Sequence, residues 1–168
     1  TNAKGEQKVE LEEVGEGSGF FGLYVDGKKY KSDYLLHIYY GENDVVVTAD
    51  PYAFEPQISS DDLYLFAEGK HYQIYDKLGA HPKNYKGKDG FYFAVWAPHA
   101  AAVSVVGDFN NWDPDADPMK VLETSGIYEA FIPGLKEGEL YKFAITTQSG
   151  KVLFKSDPYA FGSEYRPG

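Results

Sequence analysis

The sequence predicts an all-β protein whose main part is an immunoglobulin-like β-sandwich, and two observations indicate this fold class. The chain of 168 residues contains 15 Tyr and 11 Phe but one Met, and such ring-rich stretches favour pleated sheet over helix. Short apolar runs divided by turn residues also follow one another along the second half of the chain. The apolar fraction of 43% is normal for a folded globular protein.

The second half of the chain is predicted to hold the complete sandwich. Pro98 ends the first apolar run there, and Asn110-Asn111 and residues 148–150 supply later turns. We expect the first two strands to pair as a hairpin, and the strand lengths and spacing are typical of a sandwich of immunoglobulin-like size. The predicted strands lie at residues 90–96, 103–107, 127–132, 141–147 and 152–154.

A five-residue motif, Asp50-Pro51-Tyr52-Ala53-Phe54, recurs letter for letter at residues 157–161. At the same offset of 107 residues, about a third of the positions from Val14 to Phe54 are identical without a gap. The simplest explanation is a duplicated module, and the alternative is that shared turn composition produces the matches. Nothing before Gly19 matches the aromatic run that opens the second copy, so we expect the first module to be truncated. Its predicted strands lie at 20–25, 35–40 and 45–48, with a hairpin turn at 41–44.

Residues 59–69 between the two copies have the pattern of a short helix. Ser59 is a typical N-cap, Asp61 and Asp62 place acidic groups in the first turn, and Gly69 follows the apolar run. Residues 83–88 are predicted to form a surface loop. The expected domains are therefore a partial β module at 1–58, a linker with a short helix at 59–89, and the sandwich at 90–168.

Composition narrows the classes of partner and compartment. The net charge of −10 repels phosphate backbones and anionic lipid surfaces, and no run approaches the roughly 20 apolar residues that span a bilayer. We therefore expect neither a nucleic acid nor a membrane partner. Cysteine is absent, which removes disulfides and thiolate metal sites and permits a reducing compartment without proving one. The expected location is cytoplasmic. The polar start without Met indicates that the chain is a piece of a longer protein.

Candidate catalytic and metal-binding groups are weak in this sequence. Asp113, Asp115 and Asp117 resemble the start of a calcium loop, but Pro114 and Pro118 interrupt it and the required Gly and Glu are missing. The four histidines have no metal-ligand spacing. The carboxylates cluster in turns, and no two form a recognisable pair for glycosyl transfer. We therefore expect no catalytic residue, no cofactor and no metal in this chain.

A polar turn after the predicted strand at 103–107 holds an indole that could bind sugar. The C–H face of a pyranose ring stacks on an aromatic plane, while amides and ammonium groups bond its hydroxyls from the side. Trp112, Asn110 and Lys142 supply these three roles and are the predicted carbohydrate contacts. In the competing interpretation, Trp112 is a buried core residue of a purely structural module.

Several motifs resemble known families. Residues 107–112 (Gly-Asp-Phe-Asn-Asn-Trp), 140–143 (Leu-Tyr-Lys-Phe) and 157–160 (Asp-Pro-Tyr-Ala) resemble the starch- and glycogen-associated carbohydrate-binding module family 48, from about Gly90 to the end. Residues 75–82 (Tyr-Asp-Lys-Leu-Gly-Ala-His-Pro) and 93–98 (Phe-Ala-Val-Trp-Ala-Pro) resemble bacterial 1,4-α-glucan branching enzymes. Some members of that enzyme family carry an extra related module in front, which fits the duplication.

The resemblance implies an activity for the parent protein and a ligand for this part of it. The full-length enzyme would cleave an α-1,4-glucan and transfer the piece to a 6-hydroxyl, using carboxylates of a (β/α)8 barrel that follows the module. No position here matches those carboxylates. Glycogen-binding members of the module group use two tryptophans and a lysine; Trp112 matches the first and Lys142 the lysine, whereas Leu153 and Phe154 stand near the second. Phe154 is therefore a fourth predicted contact. The implied partners are α-1,4-glucan and the barrel of the same chain.

Two other interpretations stay open at this stage. The chain could be an α-glucan-binding module of a debranching enzyme or of a glycogen-targeting subunit, which share the sandwich but usually lack the motif Lys77-Leu78-Gly79-Ala80-His81. It could also be a structural spacer that never touches sugar. The exposure of Trp112 discriminates the spacer from the binding module.

Overall fold

The computed structural model describes residues 8–24, 34–40, 44–50 and 54–163. The chain divides into two compact units, residues 1–35 and residues 36–168. The elements in chain order are β1 Glu12–Glu13, β2 Phe21–Gly22, β3 Leu35–Tyr39, β4 Val45–Ala49, α1 Ser60–Ala67, β5 Gly79–Tyr85, β6 Lys88–Trp96, β7 Ala100–Gly107, β8 Lys120–Val121, β9 Ile127–Pro133, β10 Tyr141–Thr147 and β11 Val152–Lys155.

The first unit contains one short antiparallel pair, β1 with β2, in which Glu13 lies opposite Phe21. Between these strands the Ser18 hydroxyl accepts a 3.1 Å hydrogen bond from the amide of Phe20, and Gly19 has a φ of 72°. The strand predicted at 20–25 is thus observed at β2, and residue 25 lies outside the described residues.

Three further sheets use the remaining strands. β3 and β4 form a two-stranded sheet, β5-β6-β9-β8 a four-stranded sheet, and β11-β10-β7 a three-stranded sheet. The strands predicted at 35–40, 45–48, 127–132, 141–147 and 152–154 are confirmed by β3, β4, β9, β10 and β11. Of the hairpin turn predicted at 41–44, residues 41–43 lie outside the described part.

The four-stranded and three-stranded sheets pack face to face, which confirms the β-sandwich. The side chains that face this core alternate along each strand with side chains on the opposite face of the sheet, and burying each large apolar side chain stabilises the fold by about 1.5–3 kcal/mol. The core between the sheets consists of Phe93, Val95, Ala97, Val103, Val105, Met119, Tyr128, Ala130, Ile132 and Phe143. The proposed truncation of the first module is a separate matter and stays a prediction.

A second core covers the other face of the four-stranded sheet. Tyr92 and Ala94 of β6 and Ile127 of β9 point to this side, where Phe54 and Leu78 pack on them. The covering stretch, residues 54–78, includes the predicted helix, which is confirmed as α1. Its N-cap is Ser59, whose hydroxyl and backbone amide both bond Asp62 in a capping box. With eight residues, this one α-helix of the described part is too short to cross a membrane.

The prediction of a surface loop at 83–88 is wrong. β5 runs to Tyr85 and β6 begins at Lys88, and all of β5 pairs with residues 88–94 of β6. Lys86 and Gly87 join them with φ values of 49° and 80°, as a two-residue hairpin turn requires. Pro82 made this stretch resemble a loop, but β5 lies at the sheet edge, where proline is tolerated. The sheet therefore begins at Gly79, within the range predicted as linker.

The predicted pairing of strands 90–96 and 103–107 is also wrong, although both strands exist. β6 pairs with β5 and β9, whereas β7 pairs with β10 in the opposite sheet. The chain crosses between the sheets at residues 97–99. There the amide of Ala97 donates to the carbonyl of Gly126 and the amide of Ala100 to that of Ala97. Because Pro98 has no N–H, it ends the hydrogen-bond ladder of β6. The short segment after it crosses to the other sheet, although a segment of this length could also form a hairpin turn.

Candidate functional site

The turn after β7 adopts an unusual backbone that fixes Trp112. A single 3-10 turn, Asp108–Asn110, is followed by Asn111 and Trp112 with φ values of 55° and 59°. Two consecutive non-glycine residues in the left-handed region are uncommon, above all when one is bulky, and such positions cost on the order of 1–3 kcal/mol each. The backbone amide of Trp112 donates a 2.9 Å bond to the carbonyl of Gly107, which closes the turn.

The indole of Trp112 is held at its edge and faced by a cation. Its Nε1 donates a 2.7 Å hydrogen bond to Oδ1 of Asp108, and Nζ of Lys142 lies 5.9 Å from the ring centroid, within cation–π range. Trp112 is half-buried, so the ring is not the enclosed core residue of the spacer interpretation. The sequence analysis missed Asp108, although its four-residue separation from Trp112 across a tight turn was a usable signal.

The side chain of Asn110 is bonded within the turn, and its predicted contact with sugar stays a prediction. Its Oδ1 accepts a 2.9 Å bond from the amide of Gly107, and its Nδ2 donates to the carbonyl of Val105 at 2.9 Å and to Oδ2 of Asp117 at 2.7 Å. Because both N–H groups are used within the turn, this amide positions the indole rather than offering free donors to a sugar. Burial raises the pKa of the Asp117 carboxyl; the bond from Asn110 opposes this rise and the nearby charge of Asp113 adds to it.

Lys142 and Phe154 lie on the outer face of the three-stranded sheet. Phe143 on β10 points into the core, so its neighbours Lys142 and Ala144 point outward. Ala144 lies opposite Phe154 on β11, and the phenyl ring is 49% exposed. The structure thus brings Trp112, Lys142 and Phe154 to one face of one sheet, with Asn110 beneath the turn.

A buried charged cluster lies on the other side of the sandwich, and the sequence analysis did not find it. Glu129 on β9 is 0% exposed; its Oε2 accepts bonds from the hydroxyl of Tyr92 at 3.0 Å and the amide of Gln57 at 3.1 Å. Its Oε1 lies 3.5 Å from Nζ of Lys120, which also donates to the carbonyl of Phe54. The carboxylate of Glu129 and the ammonium of Lys120 therefore form a charged pair in the core, with 0% and 8% of each side chain exposed.

Asp62 forms a further polar cluster at the start of α1. Its carboxylate is 2.8 Å from Nε2 of His71 and 3.3 Å from Nζ of Lys77. Within the part of the chain that the structure describes, no group of three or more His, Cys, Asp or Glu side chains is arranged to hold a metal ion.

The sequence over this sandwich matches a family model. The model for carbohydrate-binding module 48 (isoamylase N-terminal domain) matches residues 77–160, which is half of the chain. The chain belongs to the carbohydrate-binding module 48 family. The matched range begins just before β5, in agreement with the sheet seen in the structure, and it includes Trp112, Lys142 and Phe154 of this carbohydrate-binding module.

Several curated proteins similar to the chain are named 1,4-alpha-glucan branching enzyme GlgB. That of Cellvibrio japonicus is 48% identical over 152 residues, which is 90% of this chain and 21% of the relative. That of Butyrivibrio fibrisolvens is 62% identical over 111 residues, 66% of this chain and 17% of the relative. That of Protochlamydia amoebophila is 51% identical over 118 residues, 70% of this chain and 16% of the relative. The chain therefore spans about a fifth of the length of these relatives.

Among solved structures, the maltotriose complex of PulA from Klebsiella pneumoniae aligns with 60% of this chain and 10% of that chain, at 28% identity. The TM-score is 0.42. At that value the likeness has no bearing on function.

Proposed function

We propose that this chain is the non-catalytic N-terminal region of a bacterial 1,4-α-glucan branching enzyme and that its sandwich binds α-1,4-glucan on the outer face of the three-stranded sheet. The observation that supports the binding site is the half-buried Trp112 indole, which is fixed by Asp108 and has the Lys142 ammonium beside it. The identity of 48% over 90% of the chain supports the choice of enzyme class.

The binding mode follows from the chemistry of the three outward side chains. The rings of Trp112 and Phe154 present apolar planes to successive glucose faces, and Lys142 donates hydrogen bonds to hydroxyl oxygens. The ligand is neutral, so it forms no ion pair with Lys142. We expect a dissociation constant near the millimolar range, which corresponds to about −4 kcal/mol. Weak binding is sufficient if its task is to orient long chains toward a catalytic domain.

The parent protein is proposed to form α-1,6 branches in a cytoplasmic pathway of glycogen synthesis. Retaining glycosyl transfer needs two carboxylates about 5 Å apart, and these belong to the (β/α)8 barrel that follows the module. The sandwich packs against that barrel while the sugar-binding face stays open, since a domain can bury one surface and present another.

The alternatives are less well supported. The assignment to a debranching enzyme or a glycogen-targeting subunit does not account for the motif at 77–81. In that motif the ring of His81 bonds the carbonyl of Leu78 at 3.0 Å, at the start of the sheet. A pure spacer requires an enclosed Trp112, whereas this side chain is half-buried.

The deciding experiment is isothermal titration of the chain with maltoheptaose, with tryptophan fluorescence followed in parallel. Saturable binding with a change in the tryptophan fluorescence is expected. Trp112→Ala should abolish the binding measured by calorimetry. Trp96→Ala is the matched control, because Trp96 is 53% exposed and its ring contacts Phe66 on the other side of the sandwich. No binding at millimolar sugar supports the spacer, and unchanged retention of Trp112→Ala on a glycogen gel refutes this site.

A further inference from the structure

The two copies of the repeated stretch fold alike where both are described. The serine turn of the first unit recurs at Ser125, whose hydroxyl accepts a 3.0 Å bond from the amide of Ile127, and Gly126 has the same φ of 72° as Gly19. The hairpin β3–β4 lies 107 residues before β10–β11, strand for strand. Each hairpin leads into the motif Asp-Pro-Tyr-Ala-Phe, so its final residues, Phe54 and Phe161, occupy equivalent positions.

Phe54, the last residue of the first motif, packs on the outer face of the four-stranded sheet that follows it in the chain. The side chain is 7% exposed. Its ring stacks on Phe131 with centroids 5.7 Å apart and meets the edge of Tyr85 at 4.7 Å, while its carbonyl accepts a bond from Lys120. The first motif therefore ends as an aromatic anchor in the next β-sheet of the chain.

The second motif is ordered, yet its last residue points into solvent. The hydroxyl of Tyr141 and the amide of Tyr159 both donate to the carboxylate of Asp157, and Tyr159 packs so closely on Gly79 that a Cβ there would lie 3.0 Å from that of Tyr159. Phe161 is nevertheless 86% exposed. Among the described residues, its ring contact is the edge-on approach of His81, with centroids 5.9 Å apart.

We propose that Phe161 is the anchor by which this module docks into the domain that follows it, as Phe54 anchors the first motif in the module after it. The partner is the proposed catalytic barrel, and the receiving site is an apolar pocket lined by aromatic rings, with a cation near the carbonyl of Phe161. This inference rests on the proposed function, which places a barrel after this chain. An exposed phenyl on an ordered support loses little conformational freedom on docking, which favours such a role.

Hydrogen exchange measured by mass spectrometry tests the proposal in the full-length protein and in this chain alone. We expect the backbone amides of 161–163 to exchange at least ten-fold more slowly in the full-length protein. Phe161→Ala should remove that protection and leave the melting temperature of the isolated chain unchanged. Tyr72→Ala is the matched control, because Tyr72 is likewise 86% exposed, and it should leave the protection intact.

Equal exchange of 161–163 in both proteins, or protection that survives Phe161→Ala, overturns the anchor. Branch formation by the full-length protein is assayed separately by the iodine colour of amylose. Activity without protection refutes the anchor and leaves the proposed function standing, whereas absence of branching activity refutes the proposed function itself.

Discussion

Nε1 of Trp112 lies 2.7 Å from Oδ1 of Asp108, four residues earlier in the same turn. This bond ties the indole edge to the backbone that carries it, while the left-handed φ of 59° at Trp112 aims the ring toward Lys142. The ring is therefore oriented before any ligand arrives, and a pre-oriented group loses little entropy on binding.

Asp108→Ala should weaken maltoheptaose binding three- to ten-fold, because the indole loses its one fixed polar partner, worth about 1 kcal/mol at an exposed site. The change in unfolding free energy should stay small, since Asp108 is exposed. Asp108→Asn keeps an oxygen acceptor and should bind like the unaltered chain. Titration calorimetry and urea unfolding measure the two effects. Equal loss in both variants would indicate that the negative charge, and not the acceptor, is what matters.

Asn110→Ala should lower the unfolding free energy by about 2–4 kcal/mol, because it removes three hydrogen bonds and leaves the half-buried Asp117 without its donor. Urea denaturation measures the change. Asn111→Gly is the control in the same turn; its φ of 55° suits glycine, so its stability should change by less than about 1 kcal/mol. Undiminished stability of Asn110→Ala would contradict the positioning role.

Lys120→Met should cost about 3–5 kcal/mol, because it leaves Glu129 as an unpaired charge in the core. The double variant Lys120→Met with Glu129→Gln should recover a large part of that loss, since the amide is neutral and can still accept from the hydroxyl of Tyr92. A double-mutant cycle in guanidinium chloride gives the coupling energy. Additive losses would show that the two side chains do not interact.

The unfolding free energy should fall as the pH drops below about 5, and Asp62 should account for part of the slope. Burial alone would raise the pKa of its carboxyl, but hydrogen bonds from Ser59, His71 and Lys77 outweigh this effect and hold the pKa well below its ordinary value of 3.8. The unfolded chain therefore takes up this proton first, so the contribution of Asp62 is fully present above the unfolded pKa and is lost as pH falls.

Asp62→Asn should flatten the dependence of stability on pH between about pH 5 and pH 3, as measured by urea unfolding at fixed ionic strength. Asp61→Asn is the matched control in the same first turn, since Asp61 is exposed. A slope that Asp62→Asn leaves unchanged would place the acid sensitivity elsewhere.

The sequence analysis located strands well where aromatic and branched residues alternate between turn residues, as in β9 and β10. It misplaced β5 because Pro82 is locally a loop signal, and whether proline sits at a sheet edge depends on contacts with a distant strand. The sequence also led to a predicted pairing of β6 with β7 that the structure does not show. Whether two neighbouring strands pair depends on which sheet each one joins, and the short interval after Trp96 does not reveal that.

The residue types of the candidate site were predictable from the sequence, whereas their contacts with distant residues were not. The residue types suited to sugar, Trp112, Lys142 and Phe154, were identified from chemistry and motif. The contact of Asn110 with Asp117 was not, because an amide beside an indole satisfies a ligand pattern and a turn pattern equally well. Glu129 was also missed, since a charge in a strand indicates a solvent-facing position unless the covering segment at 54–58 is known.

The stretch 54–78 covers one face of the four-stranded sheet, so the proposed glucan-binding side chains lie on the opposite side of the sandwich from this covering stretch. If the protein were immobilised on a solid support through residues 54–78, every molecule would present Lys142 and Phe154 to the solution. Attachment through β11 would hide them. An immobilised form of the protein should thus act as a capture layer for glucan in the first orientation and as an inert coating in the second.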